Sequence, residues 1–231
     1  MKVKLISHTP SPEKLCGSAA SVAYSEEGFE ANYDKNDDSA QKILNHCVKS
    51  GHHSITEHAS FTFSVEGISR ACSHQLVRHR LASYTQQSQR YVRFDELAFV
   101  TPPKIRKNNE HEELFKETMQ QLSDNYKKLL DAGVPAEDAR YIYPNAAKTN
   151  LAVTMNAREL MHFFSLRCCE RAQWEIRELA DMMLREVLKA APILFCKSGP
   201  NCYSKGVCTE GKFTCGRMDE IREKYEKIHS K

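Results

Sequence analysis

Hydrophobic side chains recur along this chain with two periods, and the changes of period mark its elements. Phe61, Phe63 and Val65 alternate with Thr62 and Ser64, the period of a half-buried strand. Residues 2–7 alternate in the same way and predict an edge strand; residues 150–154 predict another. Elsewhere the period lengthens to that of a helix. Pro12, after Ser11, opens a helix running to about Tyr24. Asp38 and Ser39 cap a second, with Ile43, Leu44, Cys47 and Val48 on one face, ending at Gly51. Residues 69–77 form a third, and the helical pattern can be followed to Arg80. Residues 110–131 form a long amphipathic helix with Leu114, Phe115, Leu122, Tyr126, Leu129 and Leu130 inward, stopped by Gly133-Val134-Pro135. A short helix or turn spans 137–143. Asn156 and Glu159 make a capping box for a helix reaching Arg167, and 172–189 form the next, carrying Trp174, Leu184, Val187 and Leu188. A charged terminal helix at 218–228 is expected to be solvated. Residues 26–36 and 83–89 read as loops.

Composition narrows the class. With 231 residues, 41% hydrophobic and 27% charged, the chain suits an ordinary globular core. A net charge of +3 is too small for a general nucleic-acid binder. No apolar run approaches the roughly 18 residues that span a bilayer. The first eight residues are followed by Thr9-Pro10-Ser11-Pro12 and lack a signal-peptide core, so a soluble cytoplasmic protein without a membrane partner is expected. Reduced thiols are then expected at Cys16, Cys47, Cys72, Cys168 and Cys169, with Cys72 in the core.

The chemistry concentrates at 78–91. Arg78-His79-Arg80 is followed by Ser83, Gln86, Gln87, Ser88, Gln89 and Arg90, with no Asp or Glu in between. Gln75, Arg78 and His79 fall at i, i+3 and i+4 of the helical pattern, and a donor-rich loop follows. Such a set suits a phosphate or carboxylate, because the guanidinium fork matches those edges; a solvated basic face is the plain alternative. Upstream, His52, His53, Glu57 and His58 lack the i, i+4 spacing of helical metal ligands and suit a cofactor-contacting loop better. The first turn at Asn156 offers N–H groups to an anion. Ser88 has no base beside it in sequence and reads as a donor, not a nucleophile. In the tail, Cys196, Cys202, Cys208 and Cys215 are separated by glycines; they suit either a tetrahedral zinc or a loop of free thiols, and without a CxxC pair no metal ligand is assigned.

Arg78-His79-Arg80, seven residues, Ser88, one residue and Arg90 resembles the signature of the flavin-dependent thymidylate synthases. Gly51-His52-x-Ser54-x-x-Glu57-His58 resembles the family's first cofactor loop, matched through His52. Asn156-Ala157-Arg158, Arg167 and Ala172-Gln173-Trp174-Glu175 resemble its C-terminal site helices. The resemblance covers about 51–195 and implies an α+β fold, an antiparallel sheet surrounded by helices, in a domain at 1–195 with a Cys/Gly-rich extension at 196–231. It implies methylation of dUMP to dTMP, with 5,10-methylenetetrahydrofolate giving the carbon, NADPH the reducing power and FAD carrying the hydride, in a homotetramer with shared sites. dUMP would lie on Gln75, Leu76, Val77 and Arg78, on Gln86, Gln87, Ser88, Gln89 and Arg90, and on Arg140 from a neighbouring subunit. FAD would lie on Ser54, Arg78, His79, Arg80, Gln86, Asn156, Ala157, Arg158 and His162. Arg167 would act catalytically on the uracil edge, favouring the N3-deprotonated base. Gln86 stands where some members have Glu, and His162 where some have Asn. A flavoprotein acting on another nucleotide is the nearest alternative; a nucleic-acid-binding module is the more distant one.

Overall fold

The N-terminal alternation becomes strand β1 (Lys2–His8), and Pro12 opens helix α1 (Pro12–Ser21), with a 3-10 turn at Val22–Tyr24. The short α2 (Phe29–Tyr33), α3 (Asp37–Lys49) and a 3-10 helix at His53–His58 follow. Strand β2 (Ser60–Ser69) runs into α4 (Arg70–Leu76), then β3 (Ala82–Gln86), α5 (Pro103–Arg106), α6 (Asn109–Asp131) and α7 (Ala136–Ala139), with a 3-10 turn at Arg140–Ile142. Strand β4 (Lys148–Asn156) leads directly into α8 (Ala157–Arg167), then α9 (Trp174–Ala190), α10 (Asn201–Ser204) and α11 (Met218–His229). The computed structural model describes residues 1–35, 37–93 and 97–230; the last residue of the expected 26–36 loop and residue 231 lie outside these.

The strands form one sheet in the order β1-β2-β4-β3. Thr62 meets Thr154 at 2.9 Å, and the Gly67 N–H donates to the Asn150 side chain at 2.9 Å. One number rises as the other falls, so β2 and β4 are antiparallel. Phe61, Phe63, Val65, Val153 and Met155 are fully or almost fully buried. The α+β reading with an antiparallel sheet and surrounding helices therefore stands.

The chain divides into two compact units. In the first (1–2, 65–78, 84–152), Ile68, Cys72, Leu76, Met119 and Tyr126 are buried, and the Tyr126 and Tyr143 rings lie 4.4 Å apart. In the second (3–64, 79–83, 153–231), α1 packs on α3 so closely that a Cβ at Gly17 would stand 2.1 Å from the Ala40 carbonyl oxygen. An aromatic chain runs through this unit's core, from Phe61 to Phe195 (5.3 Å), Phe164 (6.1 Å), Phe163 (5.7 Å) and His79 (4.9 Å).

Several expectations are corrected. Residues 82–86 are strand, not loop: hydrogen bonding to β4 overrides the polar composition, and the Gln87 N–H donates to the Asn150 carbonyl at 2.9 Å. The helix ends at Leu76, whose carbonyl accepts the Tyr84 hydroxyl at 2.9 Å, so Arg78, His79 and Arg80 lie beyond it and do not stack on Gln75 at helical spacing. The 26–36 loop contains α2, anchored by the Asn32 amide on the Glu27 and Gly28 carbonyls (both 3.0 Å). Leu114 is 64% exposed; the inner face of α6 is centred on Met119, Ser123 and Tyr126. Helix α11 is not merely solvated. It buries Ile221, Tyr225 and Ile228, and the Tyr225 hydroxyl donates to Asp181 and the Cys168 carbonyl.

The capping box forms as the sequence predicts: the Asn156 side chain accepts the Glu159 N–H at 2.9 Å. Asn156→Ala is expected to cost about 1 kcal/mol, measured as a shift in the denaturation midpoint at constant m-value.

Candidate active site

The second unit brings four polar residues of α8 and its approach together. Glu159 and His162 lie three residues apart on α8, and Arg167 is its last residue. His79 reaches them from the segment after Arg78 and is 4% exposed. Its Nδ1 lies 3.3 Å from Glu159 Oε1, and Arg167 Nε donates to its Nε2 at 3.0 Å. An arginine donates only, so Nε2 is the acceptor and the imidazole proton sits on Nδ1, donated to Glu159. The ring is wedged edge-on against Phe163 (4.9 Å) and His162 (5.8 Å).

Burial, then the nearby Arg167 and His162, hold His79 at about 4, so it is neutral at physiological pH and its contact with Glu159 is a hydrogen bond of a neutral ring. Burial raises the Glu159 carboxyl, and His162 partly offsets this. The unfolded imidazole binds a proton near 6.5 and the folded one near 4, so His79 weakens the fold as pH falls through that window. Glu159, raised in the fold, works the other way. The net expectation is a loss of about 1–2 kcal/mol between pH 7 and pH 5, read by urea denaturation and flattened in His79→Gln.

A cavity of about 630 Å³ lies along α8. Its lining includes Lys49, His53, Arg158, His162, Lys197 and Lys205, and no carboxylate. Among the described residues, the buried His53 Nδ1 has no hydrogen-bond partner. Burial, Arg158 and Lys205 push the His53 ring down, so a neutral histidine sits in a cationic wall. This chemistry fits a large anionic cofactor. His53 lines the cavity, whereas His52, the match made from the sequence, only caps the 3-10 helix and is exposed. Ser54 is exposed on that helix and Arg80 on its own segment; neither lines the cavity. Arg158 pairs with Glu57. The first turn of α8 has fewer N–H groups to offer than expected: Ala157 donates to the Ala59 carbonyl at 2.8 Å and Glu159 to Asn156.

The first unit gathers a second group. Glu137 accepts Arg90 Nε on its carboxylate (3.1 Å) and Arg140 Nε on its carbonyl (3.0 Å). The Arg90 N–H donates to Ser88 Oγ at 3.1 Å, which shapes the turn. Gln86 donates from Nε2 to Ser73 Oγ (3.0 Å) and Thr149 Oγ1 (3.1 Å), a double donation that Glu could not make. Gln75 donates to the Ala71 carbonyl at 3.3 Å, Leu76 is buried, and Val77 and Arg78 follow at the helix end. Gln87 accepts from Asn150 at 3.3 Å, and Gln87 and Gln89 line a depression of about 200 Å³. Two carboxylates remote in sequence therefore meet the signature: Glu137 pairs with Arg90, and Glu159 accepts from the neutral His79 ring. Neither Glu is marked by the signature's spacing; only the capping box singled out Glu159, and for another reason.

The family model described as thymidylate synthase complementing protein matches residues 4–193. The chain is 50% identical over 231 residues to the flavin-dependent thymidylate synthase of Geobacter sulfurreducens, covering 99% of each chain. It is 45% identical over 238 residues to that of Pyrococcus furiosus, covering 99% of this chain and 98% of that one. Its fold is similar to the crystal structure of a UMP/dUMP methylase from Streptomyces cacaoi bound with 5-Br dUMP, with a TM-score of 0.69 and 26% identity over 86% of this chain and 95% of that one. A nearly full-length match, joined to an arginine held by a neutral histidine and to a cationic cavity, places the chain in the flavin-dependent thymidylate synthase family.

Proposed function

We propose that this protein converts dUMP to dTMP by reductive methylation, taking its carbon from 5,10-methylenetetrahydrofolate and its electrons from NADPH through FAD. In balance, dUMP, methylenetetrahydrofolate, NADPH and one proton give dTMP, tetrahydrofolate and NADP⁺. The observation that carries the reading is the Glu159–His79–Arg167 chain beside a cationic cavity lined by no carboxylate. When bound, the flavin supplies a ring that accepts hydride from the reductant and passes it on.

The chain's own residues bind, orient and stabilise. Arg158, His53, His162, Lys197 and Lys205 hold the cofactor's anionic portion; the resemblance adds Asn156, Ala157, Arg78 and His79, and also Ser54 and Arg80, which lie outside the cavity and would meet another part of the cofactor. His79 directs Arg167, whose charge favours the N3-deprotonated uracil and raises electron density at C5. Glu137 holds Arg90 on its carboxylate and Arg140 on its carbonyl; Arg90, with Ser88, Gln87 and Gln89, serves this chain's dUMP, and Arg140 reaches the phosphate in a neighbouring subunit, as the resemblance implies. Leu81, Tyr91 and Tyr141 are large, exposed and next to site residues, which supports sites completed between subunits of a homotetramer. The family match stops at residue 193, which supports an enzyme domain at 1–195 and an extension at 196–231.

The test is anaerobic spectroscopy of the purified protein. The flavin absorbance should bleach with NADPH, faster with dUMP present, and return with methylenetetrahydrofolate as dTMP forms. A protein that takes up no FAD overturns the reading; acceleration by UMP but not dUMP changes the substrate.

A further inference from the structure

The 205–217 segment has almost nothing apolar to hold it. Its two large apolar side chains, Val207 and Phe213, are 56% and 58% exposed. Of its two cysteines, Cys208 is exposed and Cys215 half-buried. Cys208 and Cys215, with Cys202 from α10 and Cys169 from the turn after α8, line one small cavity of about 20 Å³. That is room for about one water-sized sphere. Cys169 Sγ lies 4.0 Å from Glu210 Oε1, and Cys208 Sγ lies 3.5 Å from Thr214 Oγ1. Cys196, the fourth thiol of the tail by sequence, lines a different cavity with Val3 and Met182.

We propose that Cys169, Cys202, Cys208 and Cys215 bind one zinc ion, which fastens the C-terminal extension to the end of α8. Four thiolates suit a tetrahedral site, and soft sulfur selects zinc over oxygen-preferring cations. Binding displaces one proton from each thiol, giving a tetrathiolate with a net charge of −2. Among the described residues no three potential ligands already converge at coordination distance, so binding draws the loop inward. Gly206, Gly211 and Gly216, at φ of +72°, +53° and +72°, flank the two loop cysteines and give it the turns to do so. The ion does for this segment what an apolar core cannot. Cys169 lies two residues beyond Arg167 and Lys205 lines the cationic cavity, so the test reads the metal itself and not turnover.

The experiment is elemental analysis of the full-length flavoprotein, purified with a thiol reductant and reconstituted anaerobically with Zn²⁺ before desalting. About one zinc per chain is expected. Cys208→Ser and Cys215→Ser should each lose it and lower the thermal midpoint by several degrees, at unchanged FAD content, while Cys47→Ser keeps the metal. Because a variant can fail to fold, the wild type stripped by chelator and loaded with Co²⁺ gives a second reading: an intense thiolate-to-cobalt absorption band. A wild type that retains only traces of zinc and shows no such band overturns the proposal, as does zinc kept by the Cys208/Cys215 double variant. Conversion of these thiols to disulfides in place of metal uptake overturns it too.

Discussion

Arg167→Ala is expected to lower kcat at saturating dUMP by about 10²–10³-fold while the purified protein keeps its flavin. Arg167 ends α8, and its Nε is committed to His79 Nε2 at 3.0 Å. That bond fixes the plane of the guanidinium through a ring that is itself wedged between Phe163 and His162. A cation so held stabilises negative charge developing on the uracil with little reorganisation, and the gain is realised in the transition state more than in the ground state. Arg167→Lys keeps the charge but loses the planar fork and the Nε donor, so it should recover only part of the rate. Steady-state kinetics decide the matter. If KM for dUMP rises and kcat is unchanged, Arg167 contributes uniform binding and the catalytic role is lost.

Much of this site was legible in the sequence, and the illegible parts share a cause. Periodicity located β2, α6, α8 and α9, because each buries one face and the burial imposes its period on the residues. It misplaced β3 because Ser83, Thr85 and Gln86 have the composition of a loop, and only the partner strand β4 makes them a strand. It extended α4 through His79 because nothing local in Val77 or Arg78 marks the stop; the cap comes from the Tyr84 hydroxyl, eight residues beyond Leu76. It left α11 to solvent because three buried residues, Ile221, Tyr225 and Ile228, are diluted by charge on every side.

The same holds for the chemistry. The RHR signature marked His79, Arg90 and Ser88, and α8 marked Arg158 and Arg167. The carboxylates that set their geometry, Glu57, Glu137 and Glu159, come from elsewhere in the chain, and a spacing rule cannot see an ion pair formed across 101 or 47 positions. The choice between His52 and His53 was likewise undecidable from two adjacent histidines, since which one lines the cavity depends on the direction of a 3-10 turn. Cys169 could not be joined to the tail cysteines for the same reason.

Glu159→Leu is expected to lower kcat/KM by about 10²-fold. The carboxylate is 5% exposed and accepts the Nδ1 proton of His79. Leucine accepts nothing, so nothing fixes the tautomer: the Nδ1–H form keeps the Arg167 bond but buries a donor without a partner, and the Nε2–H form sets two donors face to face and turns the guanidinium away. The cost stays below the roughly 10⁴-fold that a wrong tautomer imposes where the imidazole itself transfers the proton, because here the ring only positions another group. Stability should fall as well, because leucine leaves the buried Nδ1–H without its acceptor, at a cost of about 1–3 kcal/mol. Glu159→Gln offers an amide oxygen to Nδ1–H and should restore most of the turnover. Nitrogen NMR of the His79 ring separates the cases, with the Nδ1–H tautomer alone expected in the wild type and the Gln variant and a mixture with the Nε2–H tautomer in the Leu variant. Unchanged kcat/KM in Glu159→Leu, or lost activity with the wild-type tautomer intact, would remove Glu159 from the positioning role.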